Sequence, residues 1–398
     1  MRHALTLAAC LALAAVLPAS ETVKIVSSLL LTGSANTQCA SMVNGIRMAI
    51  EEAGGQVTIA GIPYTLTYES WDDATAQAGK WDAQAEASNS RRAVADPDVL
   101  VYIGTYNSNA AKVSMPTLNA AGLAMISPAN TWPGLTKPGV GEPNEPAVYR
   151  PSGKVTYFRV VPADDIQGAV GAAWAKELGA QRVFILHDRD LYGQGIAKMF
   201  KLNAEKLGLT VVGGMEGIDG KASNYKSLVT KIRAAQVDLV YFGGTTETGA
   251  GQLAKDLAGG GVKAKLMGPD AFFNSALISS AGDAALEDRV YVTFGGLPPE
   301  QQVGTGKVFV DGYKAKFGQL PEAYAIYAYE CAKVAIAAMS RAKAKDRAAV
   351  VEAIAATTDY EGALGTWSFD ANGDTTMTVM SGNTVRGGQF QFVKLLGQ

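Results

Sequence analysis

The sequence is poor in the side chains that carry most enzyme and metal chemistry, with two His and three Cys among 398 residues. His3 and Cys10 lie in the first twenty residues, and the remaining His187, Cys39 and Cys331 are too few for a Cys/His zinc site or a closely spaced redox pair. Only 18% of the residues are charged, and 35 Lys and Arg stand against 37 Asp and Glu, a net charge of −2. With no run of basic residues, this balance excludes the electrostatic signature of a nucleic-acid-binding protein.

Short catalytic motifs are absent as well, because no G-x-S-x-G, H-E-x-x-H or G-x-x-x-x-G-K-[ST] sequence occurs. His187 follows a predicted strand, and we interpret it as a structural hydrogen-bonding residue. A secreted α/β hydrolase acting through His187 remains an alternative. We expect no enzyme activity, no cofactor and no metal site. Cys39 and Cys331 could pair, or could remain two separate buried thiols, and the sequence leaves both open.

The first twenty residues have the pattern of a secretory signal peptide. Arg2 precedes an apolar run over residues 4–17, and small residues follow at 18–20. The run is too short to span a bilayer, which takes about 20 residues. We therefore predict export to the periplasm or the cell surface. Residues 7–10 resemble a lipoprotein box, but the apolar run continues past Cys10, which favours a Cys within the signal core over a lipid anchor.

Strand-like and helix-like segments alternate along the chain. Val99–Ile103 and Leu123–Ile126 have the composition of short buried strands, and Ala110–Ala121 between them has helical spacing. Arg182–Leu186 and Leu239–Phe242 repeat the strand pattern farther along, again with helical segments between them. This alternation of strands and helices predicts an α/β fold with two similar lobes, each a mainly parallel sheet covered by helices on both faces.

The lobes are separated by a segment with six prolines between residues 128 and 153, which indicates a long surface loop. Before it, Asp72-Asp73 is expected to open a helix that runs to about Ala95. Beyond residue 293 three helical segments and a final hairpin are expected to return and complete both lobes. The predicted division is a signal peptide of residues 1–20, an N-terminal lobe of 21–158 plus 293–376, and a C-terminal lobe of 159–292 plus 377–398.

Small hydroxyl side chains follow two strands of the first lobe. Ser108 stands where one predicted strand ends and a helix opens, so it lies near free backbone N–H groups that favour an anion. Thr131 follows the next strand. Because ligands of open α/β sheets bind at the carboxyl ends of strands, the two hydroxyls are candidates for one site. Either alone could equally cap a helix or turn.

In the second lobe a phenol and a carboxylate hold the corresponding positions. Tyr192 lies where a strand gives way to a helix, and Asp270 follows another strand. A carboxylate facing hydroxyls and amides across a cleft suits a ligand with an ammonium at one end and a carboxylate at the other. The pattern therefore favours a zwitterionic amino acid, although Asp270 alone could be a turn or cap residue.

Six short motifs occur in a characteristic order: Leu31-Thr32-Gly33, Asp72-Asp73, Met125-Ile126-Ser127-Pro128, Tyr157-Phe158-Arg159-Val160, Tyr192-Gly193-Gln194-Gly195 and Met267-Gly268-Pro269-Asp270. Through them the chain resembles the type I periplasmic binding proteins that serve ABC importers of branched-chain amino acids. The resemblance covers nearly all of residues 21–398. It implies two lobes that are joined by three crossover strands and close on a ligand.

Carried over by position, the resemblance implies a carboxylate site in the first lobe. The hydroxyls of Ser108 and Thr131 and the backbone at Tyr106 and Ala129 would hold the α-carboxylate. Asn130 belongs to the same loop and is included among the ligand-binding residues. The Tyr106 side chain would also line the pocket for the ligand side chain.

The resemblance places the ammonium site in the second lobe, where Tyr192 and Asp270 would hold the α-ammonium. Three positions depart from the family pattern. Gln38 stands where an aromatic residue is frequent, Thr245 or Thr246 stands where another is common, and Asp270 is one methylene shorter than the usual Glu. A pocket with fewer rings and more hydroxyl and amide groups would admit a different amino acid or a related solute.

The sequence thus predicts an exported, monomeric solute receptor of an ABC importer. It would capture Leu, Ile or Val between its lobes and deliver it to the membrane permease. One alternative is a receptor of the same family for an amide, a urea-like solute or an aromatic acid. A sensory ectodomain is a further alternative.

Overall fold

A computed structural model describes residues 21–33 and 35–397 of the chain. The predicted signal peptide, with Cys10, lies outside these described residues. The first sheet is parallel except for its edge strand, and its strand order is β2-β3-β1-β4-β5-β6. Its strands are β1 (Thr22–Leu29), β2 (Gln56–Ile59), β3 (Ile62–Asp72), β4 (Val99–Gly104), β5 (Ala124–Ser127) and β6 (Tyr157–Arg159).

The second sheet joins five parallel strands to an antiparallel C-terminal hairpin, in the order β15-β14-β11-β10-β9-β7-β8. A separate small hairpin consists of β12 (Tyr360–Gly362) and β13 (Gly365–Trp367). The strands of the second sheet are β7 (Arg182–His187), β8 (Thr210–Gly217), β9 (Leu239–Gly243), β10 (Lys265–Gly268), β11 (Val290–Gly295), β14 (Met380–Arg386) and β15 (Gln389–Leu396).

Central strands such as β4 and β9 are buried along their whole length, as expected where helices cover both faces of a parallel sheet. The α/β prediction is confirmed. The helices are α1 (Asn36–Glu52), α2 (Ala83–Ala95), α3 (Ser108–Ala120), α4 (Asp164–Glu177), α5 (Leu191–Lys206), α6 (Lys226–Ala235), α7 (Gly251–Gly259), α8 (Ser275–Ala281), α9 (Asp283–Leu286), α10 (Gly304–Phe317), α11 (Ala325–Arg341) and α12 (Arg347–Ala355).

The chain passes between the two sheets three times: from β6 to α4, from β11 to α10, and from the β12–β13 hairpin to β14. The middle passage returns the chain to the first sheet, because α11 packs against α1. At the first passage the fully buried Arg159 donates from Nε to Asp374 Oδ1 at 2.7 Å. This ion pair fastens two of the three passages to each other.

The helix expected from Asp72-Asp73 to Ala95 begins later, at Ala83. The Asp72 carboxylate instead accepts the Thr32 hydroxyl at 2.5 Å and the backbone N–H of Leu31, which ties β3 to the loop after β1. The helix is capped by Asp82, whose side chain accepts the N–H groups of the first turn. The sequence prediction therefore chose the wrong aspartate as the helix start.

The proline-rich segment contains no strand or α-helix but is not simply a surface loop. Trp132 is buried, and its Nε1–H donates to Glu145 Oε2 at 2.9 Å. Glu145 also pairs with Lys112 of α3 at 2.7 Å. Because prolines prevent regular structure without preventing burial, the segment packs against the first sheet and closes one side of it.

Both Cys39 and Cys331 are buried free thiols in the structure. Burial raises the pKa of each thiol well above its usual range. Within the described part of the chain, no helix is both long and apolar enough to cross a membrane.

Candidate functional site

A small cavity lies between the two sheets, and ligand sites occur preferentially at such places between two units. The carboxyl ends of β4, β5, β9 and β10 all contribute to it, as expected for open parallel sheets. Residues from both sheets meet there. The lining consists of Tyr106, Asn107, Ser108, Ala129, Tyr192, Thr245, Asp270, Ala271 and Tyr324.

The first-sheet wall is built from the loops after β4 and β5. Ser108 is the first residue of α3, and Asn107 caps that helix by accepting the N–H of Asn109 at 2.8 Å. Ser108 Oγ accepts the backbone N–H of Trp132 at 3.4 Å, which joins the two loops. Ala129 lies in the second loop. A hydroxyl and a helix N-terminus thus face the cavity and suit a negatively charged group.

Thr131 does not line the cavity, but its environment is unusual. Its side chain is buried, and its Oγ1 makes no hydrogen bond within the described residues. Its carbonyl accepts the N–H of Asp164, the first residue of α4, at 2.9 Å. The Asp164 carboxylate makes no well-aligned hydrogen bond there either; burial raises the pKa of this acid, helped by the charge of Asp270, whereas the nearby Thr131 hydroxyl lowers it. Buried polar groups normally find partners, so these oxygens are available to a water or a ligand.

The second-sheet wall is centred on Asp270, which is 3% exposed. The Tyr192 hydroxyl donates to its Oδ1 at 2.5 Å, and the Tyr324 hydroxyl donates to its Oδ2. Burial raises the pKa of Asp270, whereas the two hydroxyl donors favour the ionised form and lower it. The cavity therefore holds a buried carboxylate that is already hydrogen-bonded but has no cation beside it among the described residues.

Four of the ten residues predicted to bind ligand lie outside the cavity lining: Gln38, Asn130, Thr131 and Thr246. The side chains of three of these residues form hydrogen bonds within the protein. Asn130 Nδ2 donates to the Thr105 carbonyl at 2.8 Å. Thr246 donates to the Ala271 carbonyl at 3.4 Å and accepts from an Asn274 amide at 3.0 Å. Because their polar groups are engaged by the protein, these two side chains shape the loops around the cavity.

Gln38, in α1, is the third predicted residue whose side chain is hydrogen-bonded within the protein. With its amide oriented to satisfy both neighbours, it donates to Glu322 at 3.2 Å and accepts the backbone N–H of Tyr324 at 2.9 Å. It therefore fixes the segment that leads into α11. His187 also lies away from the cavity, where its Nδ1 accepts the N–H of Arg189 at 3.1 Å.

Sequence analysis missed Tyr324. The residue precedes α11 and belongs to a helical stretch more than fifty residues beyond Asp270 in the chain. No motif marks it, and only the packing of α11 on α1 brings its ring to the cavity. Its ring packs edge-on against Tyr106, with centroids 6.0 Å apart.

Comparison with known proteins identifies the family of the chain. A family model described as periplasmic binding protein matches residues 22–389. The chain is 31% identical to an amino acid binding protein of Pseudomonas aeruginosa over 262 residues, 66% of this chain and 65% of that protein. It is 30% identical to Leu/Ile/Val-binding protein homolog 2 of Brucella abortus over 355 residues, 87% of this chain and 86% of the relative.

Solved structures share the fold. The leucine-binding protein LivK of Thermotoga maritima aligns with a TM-score of 0.82 at 24% identity, covering 94% of this chain and 99% of that one. A solute-binding protein of Rhodopseudomonas palustris in complex with p-hydroxybenzoic acid aligns with a TM-score of 0.79 at 16% identity, covering 94% and 97%. The family match spans nearly the whole described chain, and this chain belongs to the periplasmic binding protein family.

Proposed function

We propose that the protein is an exported receptor of an ABC importer that captures a branched-chain amino acid between its two lobes. Captured ligand would pass to the membrane permease. The lobes are those of the predicted division, residues 21–158 plus 293–376 and residues 159–292 plus 377–398, and residues 1–20 are the signal peptide. The receptor acts as a monomer.

The observation that carries this proposal is the buried Asp270 carboxylate, which faces the Ser108 side of the same cavity. A ligand ammonium would form a charge-assisted hydrogen bond with the Asp270 carboxylate and neutralise its charge. Because the carboxylate is buried, water would compete little for this contact. A ligand carboxylate would meet the Ser108 hydroxyl and the start of α3, with Thr131 close behind. Leu, Ile and Val carry both charged groups, and the names of several relatives refer to these amino acids. Three tyrosine rings of the cavity lining would contact their apolar side chains.

The test is isothermal titration calorimetry of the purified, ligand-stripped protein with the twenty amino acids and with p-hydroxybenzoate. We expect heat with Leu, Ile or Val. The Asp270→Asn variant should lose about 30-fold to 4,000-fold in affinity, the range for removing one partner of a buried charge pair, about 2–5 kcal/mol. Asp311→Asn, on an exposed ion pair of α10, is the matched control.

Two results would contradict the proposal. Binding of p-hydroxybenzoate but of no amino acid would identify an aromatic-acid receptor, which has no need of a carboxylate in its pocket. Full affinity of Asp270→Asn for leucine would make Asp270 a structural residue.

A further inference from the structure

We propose that Tyr324 positions the Asp270 carboxylate for the ligand ammonium, and that it does so only while the two lobes are closed. Tyr324 would then be a positioning residue that couples closure to recognition of the amino group. This inference rests on the proposed function, because it assigns a role within the same site.

The geometry places one hydroxyl donor on each oxygen of the carboxylate. Tyr192, in the first turn of α5, donates to Oδ1, and Tyr324 donates to Oδ2. A carboxylate offers about four lone-pair positions, and the Gln167 amide also lies near enough to favour the ionised form, so at most two positions remain for the N–H groups of an ammonium. Because both oxygens are held, the side chain presents these remaining positions in one fixed orientation.

The two donors come from opposite sides of the cleft. Tyr192 and Asp270 both follow strands of the second sheet, so their hydrogen bond survives any relative movement of the lobes. Tyr324 precedes α11, which packs on α1 and the first sheet. Any separation of the lobes therefore breaks the Tyr324 hydrogen bond and leaves the Tyr192 hydrogen bond intact.

Tyr324 is itself held firmly from the first-sheet side. Gln38 accepts its backbone N–H at 2.9 Å, and its ring packs edge-on against Tyr106. On the other side Phe294 of β11 meets the ring at 5.6 Å between centroids. These contacts involve the backbone and the ring. Replacing Tyr324 by Phe therefore removes the hydroxyl while the packing stays in place.

The hydroxyl changes the acid strength of Asp270, which gives the proposal a measurable signature. Loss of a donor that favours the ionised form raises the pKa of this carboxyl further above its usual range. Leucine binding requires ionised Asp270, so affinity falls as the pH drops through that pKa. In Tyr324→Phe this fall should begin at a higher pH than in the wild type.

Other titratable groups near Asp270 do not produce this difference. Burial raises the pKa of each surrounding phenol, so these groups stay neutral at the acidic pH values involved. The carboxyl of Asp164 titrates in both proteins and cancels in the comparison. The surrounding groups are Tyr106, Tyr192, Tyr241, Tyr324, Tyr327 and Asp164.

The experiment measures leucine affinity by calorimetry from acidic to neutral pH for wild type, Tyr324→Phe and Tyr327→Phe. Tyr327 is a matched control, because its buried hydroxyl donates to the Gly295 carbonyl one turn farther along the same helix. We expect Tyr324→Phe to bind leucine roughly 10- to 100-fold more weakly at neutral pH, with the acid fall-off moved to higher pH. Tyr327→Phe should keep the wild-type fall-off.

Three outcomes overturn the inference: wild-type affinity in Tyr324→Phe, an equal loss at every pH, or the same displaced fall-off in Tyr327→Phe. An equal loss at every pH would mean that the residue only shapes the pocket. Failure of the proposed function is distinguishable, because the wild type itself would then bind none of Leu, Ile and Val.

Discussion

An ion pair outside the cavity should strengthen the binding of every ligand by the same factor. Lys80, between β3 and α2, reaches Asp190 at the start of α5 with 3.1 Å between Nζ and Oδ2. The pair bridges the two lobes, and neither residue belongs to the cavity lining. In a receptor that closes by hinge motion, a contact present only in the closed form strengthens binding by its own free energy, whatever the ligand.

The magnitude follows from the exposure of the pair. The side chains of Lys80 and Asp190 are 37% and 24% exposed, which places the pair among partly solvated ion pairs worth about 0.2–1 kcal/mol. Lys80→Met should therefore weaken binding by at most about 5-fold. Because salt screens such pairs, the loss should shrink at high ionic strength.

The assay is calorimetry with Leu, Ile and Val at low and high salt. Stopped-flow dissociation provides a second measurement, since a weakened closed form should release ligand faster. Lys201→Met is the control, because Lys201 pairs with Glu205 at 2.7 Å within α5 and crosses no cleft. A closure role for Lys80 would be refuted if Lys80→Met lowered the affinity for the three ligands unequally. It would also be refuted if Lys201→Met lowered the affinity as much as Lys80→Met does.

Two further predictions concern buried polar groups. Thr131→Val removes a buried hydroxyl that makes no well-aligned hydrogen bond but favours ionised Asp164, so the free energy of unfolding in urea should change by no more than about 1.5 kcal/mol while leucine affinity falls about 2- to 10-fold; unchanged affinity would leave this hydroxyl outside the site. Arg159→Met removes the nearer cation of Asp374, 2.7 Å away, and leaves only Lys137 at 3.8 Å, so it should lower the free energy of unfolding in urea by about 3–5 kcal/mol. Arg386→Met, on an exposed pair, should leave the free energy of unfolding nearly unchanged, and equal losses in the two variants would contradict the special role of the buried pair.

The sheet strands were predictable because burial on both faces leaves a strong signature in the sequence. Val99–Ile103 and Leu239–Phe242 are short continuous apolar runs, and each lies within a strand that is buried along its length. Edge strands carry less signal. In β2 exposed and buried residues alternate, and β8 contains only exposed and half-buried residues, so neither strand forms a continuous apolar run.

Helix starts were less predictable, because several polar residues compete to cap a helix. Asp72 and Asp82 are both plausible N-caps in the sequence. The structure assigns Asp72 to the loop after β1 and leaves Asp82 to cap α2. Which aspartate caps α2 depends on the contact between Asp72 and the loop after β1, about forty residues earlier in the chain. No local sequence pattern reveals a contact between such distant segments.

Among the site residues, positions at strand ends were predictable because parallel strands bring their carboxyl ends to one edge. Six of the ten predicted residues line the cavity: Tyr106, Ser108, Ala129, Tyr192, Thr245 and Asp270. Their role in binding a ligand remains a prediction. Tyr324 could not be found in this way, since it enters from a helix that returns to the first sheet late in the chain.

Two departures from the family pattern become one connected feature in the structure. Gln38 stands where an aromatic residue is frequent, and its side chain accepts the backbone N–H of Tyr324. Tyr324 brings a ring to the cavity and donates its hydroxyl to Asp270. A Glu at position 270 would carry its carboxylate one methylene farther, whereas the shorter Asp270 receives the hydroxyls of Tyr192 and Tyr324. The shorter acid therefore fits because two phenols reach it, and one of those phenols is held in place by Gln38.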